Sequence, residues 1–242
     1  MSNHARYSSP LSERYASKAM LELWSPQRRH RTWRELWLAL AEAQRELGVR
    51  DERGHQVITE EGIRQMRAHL DDIDFVAAGE FERRFRHDVM AHVETFAAAA
   101  PAARPFIHLG ATSAFVTDNA DLVLMREGLV MLRAKIVAVL RALAEFAETW
   151  RSEPTLAYTH LQPAQLTTVG KRATLWMQDL VIDLADLDHR IATLPLRGVK
   201  GTTGTQASFL ELFRGDHDAV RALERNVVKR MGFTHVLPVT GQ

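Results

Sequence analysis

One short segment of this chain gathers groups able to move a proton and orient a ligand: Tyr158-Thr159-His160-Leu161-Gln162-Pro163-Ala164-Gln165. An unperturbed imidazole titrates near neutral pH, so His160 can give or take a proton. Thr159, Gln162 and Gln165 supply hydroxyl and amide groups that orient a substrate or the ring. The same residues also read as a polar connecting loop with an incidental histidine. A second cluster is Arg86-His87-Asp88, ahead of a helical pattern in which Asp88 caps the helix or orients His87. His87 and His92 are five residues apart, and a helix turns that spacing through about 140°, so the rings diverge. The zincin spacing is absent too, and no metal is expected. Gly110-Ala111-Thr112-Ser113 reads as a small-residue approach to a ligand anion or as a plain helix cap. The stretch from Gly198 to Gln206 holds three Gly, three Thr and Lys200, without the order of a Walker A loop. A flexible turn has the same composition.

Long helices must position these groups. Trp33, Trp37, Leu40 and Leu47 share one face of a helix from about Gln27 to Leu47, ended by Gly48. A short helix begins near Thr59, and Asp74–Arg86 and Asp88–Ala100 read as two more. From Thr117 to Trp150, apolar residues recur at spacings of three and four, a seam that at 1.5 Å per residue spans about 50 Å. Ala164–Leu194 carries another seam, with Pro163 placed to start that helix. Two such helices cannot cover each other on all sides, so their remaining faces predict a bundle completed by other chains or further sequence.

The expected fold is therefore all-α: an N-terminal helical domain over residues 1–111, then the first part of a long central helical bundle over 112–242. A net charge of +1 gives no electrostatic case for nucleic acid or a membrane surface. The absence of cysteine excludes disulfides, thiolate zinc sites and a Cys nucleophile. The N-terminal stretch lacks the apolar core of a secretory signal, and a cytoplasmic location is expected.

The wording of these segments adds a resemblance. Thr-His-Leu-Gln-Pro-Ala-Gln, Ser-Glu-Arg-Tyr-Ala-Ser from Ser12, Arg-His-Asp-Val-Met-Ala-His from Arg86, His-Leu-Gly-Ala-Thr-Ser from His108, and the Gly/Thr-rich run from Arg197 to Ser208 occur in one order. Together they resemble the fumarase/aspartase superfamily and, within it, the adenylosuccinate lyase family, over the N-terminal half of such an enzyme. The resemblance implies a small-molecule substrate, adenylosuccinate or the succinyl-carboxamide ribonucleotide, from which fumarate is eliminated. It implies no cofactor and a homotetramer whose sites combine residues of three subunits. His160 would be the general acid; Arg86, His87 and Asp88 would line the nucleotide and succinyl site, where His87 would help hold and polarise the substrate. Thr112 and Ser113 would bind the succinyl part, with Thr159 and Gln162 nearby. Lys200 or the loop N–H groups around it would contact an anion. Arg14 and Tyr15 would take the nucleotide phosphate, in preference to Arg6 and Tyr7. Gln242 would contact substrate.

One departure is expected to matter. The family's Ser-rich mobile loop, which carries its base, does not occur in these 242 residues. The chain on its own is therefore expected to be an inactive fragment. Argininosuccinate lyase is a rival within the superfamily, and a non-catalytic helical assembly module is a rival outside it.

Overall fold

Most helices begin at a side chain that takes up an otherwise unpaired N–H. In this computed structural model, which describes residues 7–241, Ser17 starts α1 (Lys18–Leu23) and Ser25 starts α2 (Pro26–Glu46), with Pro26 in the first turn. Thr59 caps α3 (Glu60–Ala68), Asp74 caps α4 (Phe75–Phe85) and His87 caps α5 (Asp88–Ala99). Then come α6 (Ser113–Thr149), a hairpin of β1 (Pro154–Thr159) and β2 (Gln162–Thr168), and α7 (Val169–Thr193), capped by Thr168. The short α8 (Ala207–Leu212) and α9 (His217–Arg230) close the order. Among the described residues the only other β pairings are two isolated bridges, so helix dominates them and the one sheet is this hairpin.

Packing divides the chain into two units, one running up to Met125 and resuming at Pro195, the other running from Arg126 to Leu194. The division falls elsewhere than between residues 111 and 112. Phe115, Val116 and Ala120, in the first turns of α6, are buried in the same core as α2 and α5.

In the first unit the core is built around the apolar face of α2. Trp33, Leu36, Trp37 and Leu40 are buried against Met66 of α3, Val89 and Phe96 of α5, and Phe106. Leu223 and Val227 of α9 join the same core. Arg34 is buried among them and, among the described residues, makes no ion pair with a carboxylate. Its guanidinium donates to the carbonyls of His69 and Asp72, the latter at 3.0 Å, and lies 4.5 Å from the centre of the Phe96 ring. It thereby ties the segment that follows α3, from His69 to Asp72, onto α2.

In the second unit, α6 and α7 are joined by the hairpin. Gly170 sits where any side chain would strike the carbonyl of Ala147, and its N–H donates to Trp150 at 2.9 Å. Arg133 forks onto Asp188 across the helix pair, its Nε 2.5 Å from Oδ1. Both helices keep exposed apolar residues: Leu132, Val139, Phe146 and Trp150 of the first seam, Trp176 of the second, and Leu175, Val181 and Ile182 beside it.

One expected element is corrected. Residues 164–168 are strand, not the first turns of a helix, and Pro163 lies in β2 opposite Tyr158. Leu166 and the Thr pair after it carry the β-branched and apolar alternation of a strand, and Thr168 supplies the cap from which the helix starts.

Candidate active site

In the first unit, Arg86 ends α4 in the left-handed region (φ +55°) and turns the chain into α5. His87 follows as the N-cap. Its Nδ1 accepts the N–H of Met90 at 3.3 Å, and its Nε2 lies 3.1 Å from Ser113 Oγ. A ring nitrogen that accepts from a backbone N–H carries no proton, so in the neutral ring the proton is on Nε2 and points at Ser113. Ser113 then accepts with its oxygen, and its own hydroxyl hydrogen is left to point at a ligand. Asp88 does not cap the helix: its Oδ1 accepts the adjacent N–H of Val89 and stands 3.6 Å from His87 Nδ1.

Beside Ser113 a cavity of about 390 Å³ opens between the start of α6 and the loop that leads to α8. It is lined by Gly110, Ala111, Thr112, Gly201, Thr202, Thr205, Ala207 and Ser208. Two hydroxyl links tie its walls: Thr112 Oγ1 to Thr202 Oγ1 at 3.0 Å, and Ser208 Oγ to the Gly110 carbonyl at 2.7 Å. Gly110 is held at φ +74°, and a Cβ there would come within 2.7 Å of Leu212 and 3.1 Å of Phe209, so the wall needs glycine. Hydroxyls on small side chains suit an oxygen-rich anionic ligand that approaches the backbone closely.

His108 was not singled out in the sequence, although it heads the same run as Thr112 and Ser113. Trp37 Nε1 donates to its Nδ1 at 2.9 Å. Burial, and then the neighbouring charge of His87, lower its pKa to about 4. A histidine so held is neutral at pH 7 and carries its proton on Nε2. Its partner Trp37 lies 71 residues away in sequence, so no local pattern reports this contact.

Two more histidines are held neutral deeper in this unit. His30 of α2 and His92 of α5 stack with ring centres 3.7 Å apart, flanked by Trp33 and Phe75. Burial first, then neighbouring positive charge, lowers each to about 4. His92 thus faces the core while His87 faces Ser113, which is the divergence that their spacing predicts.

Lys200 is placed differently from expectation. Only 4% exposed, it does not line the cavity. Its ammonium lies 2.5 Å from Glu224 and also donates to the Arg197 carbonyl at 3.2 Å. It is therefore not a free cation awaiting an anion. Arg14 and Tyr15 sit in a single wide turn, Leu11–Tyr15, both exposed and outside the cavity lining. Gln242 lies outside the described residues.

In the second unit, Thr159 pairs with Gln162, and His160-Leu161 forms the two-residue turn between β1 and β2. Both turn residues have positive φ, +50° and +61°, the combination of a type I′ turn that normally selects Asn or Gly. His160 is exposed at this tip, and its ring has no partner among the described residues. Left-handed backbone at two non-glycine residues costs on the order of 1–2 kcal/mol each. Tyr158, Gln165, Lys171 and Arg172 line an open hollow of about 660 Å³ at the base of the hairpin.

No helix among the described residues is long and apolar enough to cross a membrane.

Comparison with known proteins places these features in a family. A family model described as lyase matches residues 7–236. The adenylosuccinate lyase of Saccharomyces cerevisiae is 52% identical over 244 aligned residues, covering 100% of this chain and 49% of its own length. That of Schizosaccharomyces pombe is 51% identical, with the same coverage. The chain thus spans about half the length of the curated relatives it matches. Among solved structures, a fumarate lyase from Mesorhizobium sp. BNC1 gives a TM-score of 0.75 at 26% identity, covering 93% of this chain and 50% of that one. A 3-carboxy-cis,cis-muconate lactonizing enzyme from Pseudomonas putida gives 0.74 at 18% identity, a likeness of fold alone, with 95% and 50% covered.

Proposed function

The chain belongs to the lyase family, and from that premise we propose that it forms the N-terminal half of an adenylosuccinate lyase. The reaction is β-elimination. A base takes a proton from the succinyl carbon next to a carboxylate, the bond between the adjacent carbon and the purine 6-amino nitrogen breaks, and an acid protonates that nitrogen. Adenylosuccinate yields AMP and fumarate. The same chemistry cleaves the succinyl-carboxamide intermediate, which puts the enzyme in purine synthesis. The observation that carries this reading is identity of 52% maintained over the whole chain with an enzyme of that name.

The geometry adds roles. Charge builds on the succinyl carboxylate in the transition state, and donors already aimed at it stabilise that charge without reorganising. Ser113, with its oxygen occupied by His87, is the best oriented of these, and Thr112, Thr202 and Thr205 provide further hydroxyls. His87 acts by fixing Ser113, with Arg86 and Asp88 beside it. Lys200 is not assigned a ligand contact. Arg14, Tyr15, Thr159, Gln162 and Gln242 keep substrate-binding roles that rest on the resemblance.

His160 is assigned as the general acid. A strained histidine at an exposed tip, its ring without a partner among the described residues, suits insertion into a site completed by another subunit. The homotetramer and a cytoplasmic location rest on the resemblance alone. The test is His160→Asn in enzyme assembled from this chain and the complementary half of the Saccharomyces relative. Asn adopts left-handed backbone readily, so the turn is kept while the titrating ring is lost. Turnover should fall about 10²–10⁴-fold with little change in KM. Unchanged turnover would remove His160 from the acid role.

A further inference from the structure

The segment from Arg197 to Gly201 has no helix or strand of its own, yet nearly every polar backbone group in it is held, mostly by a side chain. The Arg197 carbonyl accepts from Lys200 Nζ. Gly198 is gripped at both ends by Asn119, whose Nδ2 donates to its carbonyl at 3.1 Å and whose Oδ1 accepts its N–H at 3.1 Å. The Val199 N–H donates to Glu224 Oε1 at 3.0 Å, and the Val199 carbonyl accepts from Gln206 Nε2 at 2.8 Å. Arg197 reaches forward to the carbonyls of Lys200 and Gly201, at 2.8 and 2.9 Å. The Gly201 N–H closes the turn on the Thr205 carbonyl at 2.6 Å.

Three of these braces are buried, and Gln206 and Glu224 are half-buried. Asn119 is 1% exposed, Arg197 2% and Lys200 4%. Gly198 stands at φ +87°, where any Cβ would collide with the Glu224 carboxylate and come within 2.9 Å of Lys200 Nζ. Ordinary surface turns leave such groups to water, since exposed backbone is satisfied there at no structural cost. Here five side chains from three parts of the chain direct their hydrogen bonds onto one short stretch. Immediately after it come Thr202 and Thr205, whose hydroxyl-bearing side chains, with Gly201, make one wall of the cavity beside Ser113.

We infer that Asn119 and Glu224 are positioning residues: they fix the Arg197–Gly201 backbone so that Gly201, Thr202 and Thr205 meet a ligand in a set geometry, and the Lys200–Glu224 ion pair belongs to this brace rather than to the ligand. Neither Asn119 nor Glu224 lines the cavity. Glu224 Oε1 serves two donors at once, the Val199 N–H and the Lys200 ammonium. Removing it leaves a buried N–H and a buried cation without their acceptor, and the loop must move to find water. A preorganised wall binds tightly because it does not pay ordering entropy on contact. The consequence for turnover rests on the proposed lyase function. The brace itself does not.

Two measurements test it. The first is amide hydrogen exchange on the 242-residue chain. Glu224→Leu should speed exchange at Val199 and Gly198 by about tenfold or more, with the Trp33 and Phe96 core unchanged. Glu224→Gln retains an acceptor oxygen and should lie between Glu224→Leu and the parent. Unchanged exchange at Gly198 and Val199 would overturn the brace, and so would a rise spread evenly over the unit. The second is a double-mutant cycle in the assembled enzyme, with Lys200→Met, Glu224→Leu and both together. A shared brace predicts that each raises KM for adenylosuccinate about tenfold, with kcat within about threefold, and that the double variant is no worse than either single one. A Lys200 that contacts the substrate directly predicts multiplied effects, with Lys200→Met the larger, and that result would overturn the inference. If the assembled parent enzyme releases no fumarate, the function reading fails and hydrogen exchange alone judges the brace.

Discussion

Lowering the pH from about 7 to about 5 should unfold the first unit of this chain more readily, because three histidines are held neutral inside it. Burial is the main cause for His30, His92 and His108, each lowered to about 4 from an ordinary value of 6.5. Between those values the unfolded chain binds protons that the folded chain refuses, so stability rises with pH. It is complete above about 6.5 and is lost as the pH falls through the window toward 4. At about pH 5 one such group, acting alone, costs about 2 kcal/mol. The three do not add fully. His30 and His92 face each other at 3.7 Å, so charging one hinders the other, and His30 and His108 are only half-buried. Water at their edges screens the penalty, and a joint loss of about 3 kcal/mol is the expected size. The assay is urea unfolding followed by tryptophan fluorescence, since Trp33 and Trp37 touch these rings. In the double variant His30→Phe/His92→Phe, which keeps two aromatic rings and removes their protons, about half of the pH dependence should disappear. Equal stability at the two pH values, or an undiminished loss in the double variant, would refute the reasoning.

Other expectations follow from the same contacts. Gly110→Ala should destabilise the chain by about 1–3 kcal/mol in thermal or urea melts, because a Cβ at positive φ meets Leu212 and Phe209. Ser113→Ala in the assembled enzyme should lower kcat/KM by about tenfold to a hundredfold, with the fold kept, since it removes the hydroxyl that His87 orients. Light scattering on the isolated chain should show concentration-dependent association, reduced by changing exposed Trp176, Val181 and Ile182 to polar residues.

The helical part of this architecture was legible because amphipathic periodicity and caps act locally. Trp33, Trp37 and Leu40 did form a buried stripe, and Thr59 does start its helix. The hairpin was not legible. Its turn residues, His160 and Leu161, are not the Asn or Gly that mark a type I′ turn, and Leu166 continues the helical seam in register with α7. The environment of Lys200 was hidden for a different reason. Its partner, Glu224, lies 24 residues away in sequence and two helices later, and no local pattern reports such a pairing. The Ser113–His87 contact spans 26 residues. Each half was visible as a candidate, but only the packing of α5 against the start of α6 brings them together. Arg86 was visible as a motif residue, whereas its left-handed backbone, which aims His87, was not.

The central claim is that this chain is half of a working adenylosuccinate lyase. It is tested most directly by mixing the purified chain with the half of the Saccharomyces relative that it does not match, and following fumarate release from adenylosuccinate. The account predicts no release by either half alone, release by the mixture, and a steep loss when the chain carries His160→Asn. Turnover by the 242-residue chain alone would contradict it, since a base would then lie among these residues. So would a stably associated mixture that leaves adenylosuccinate intact.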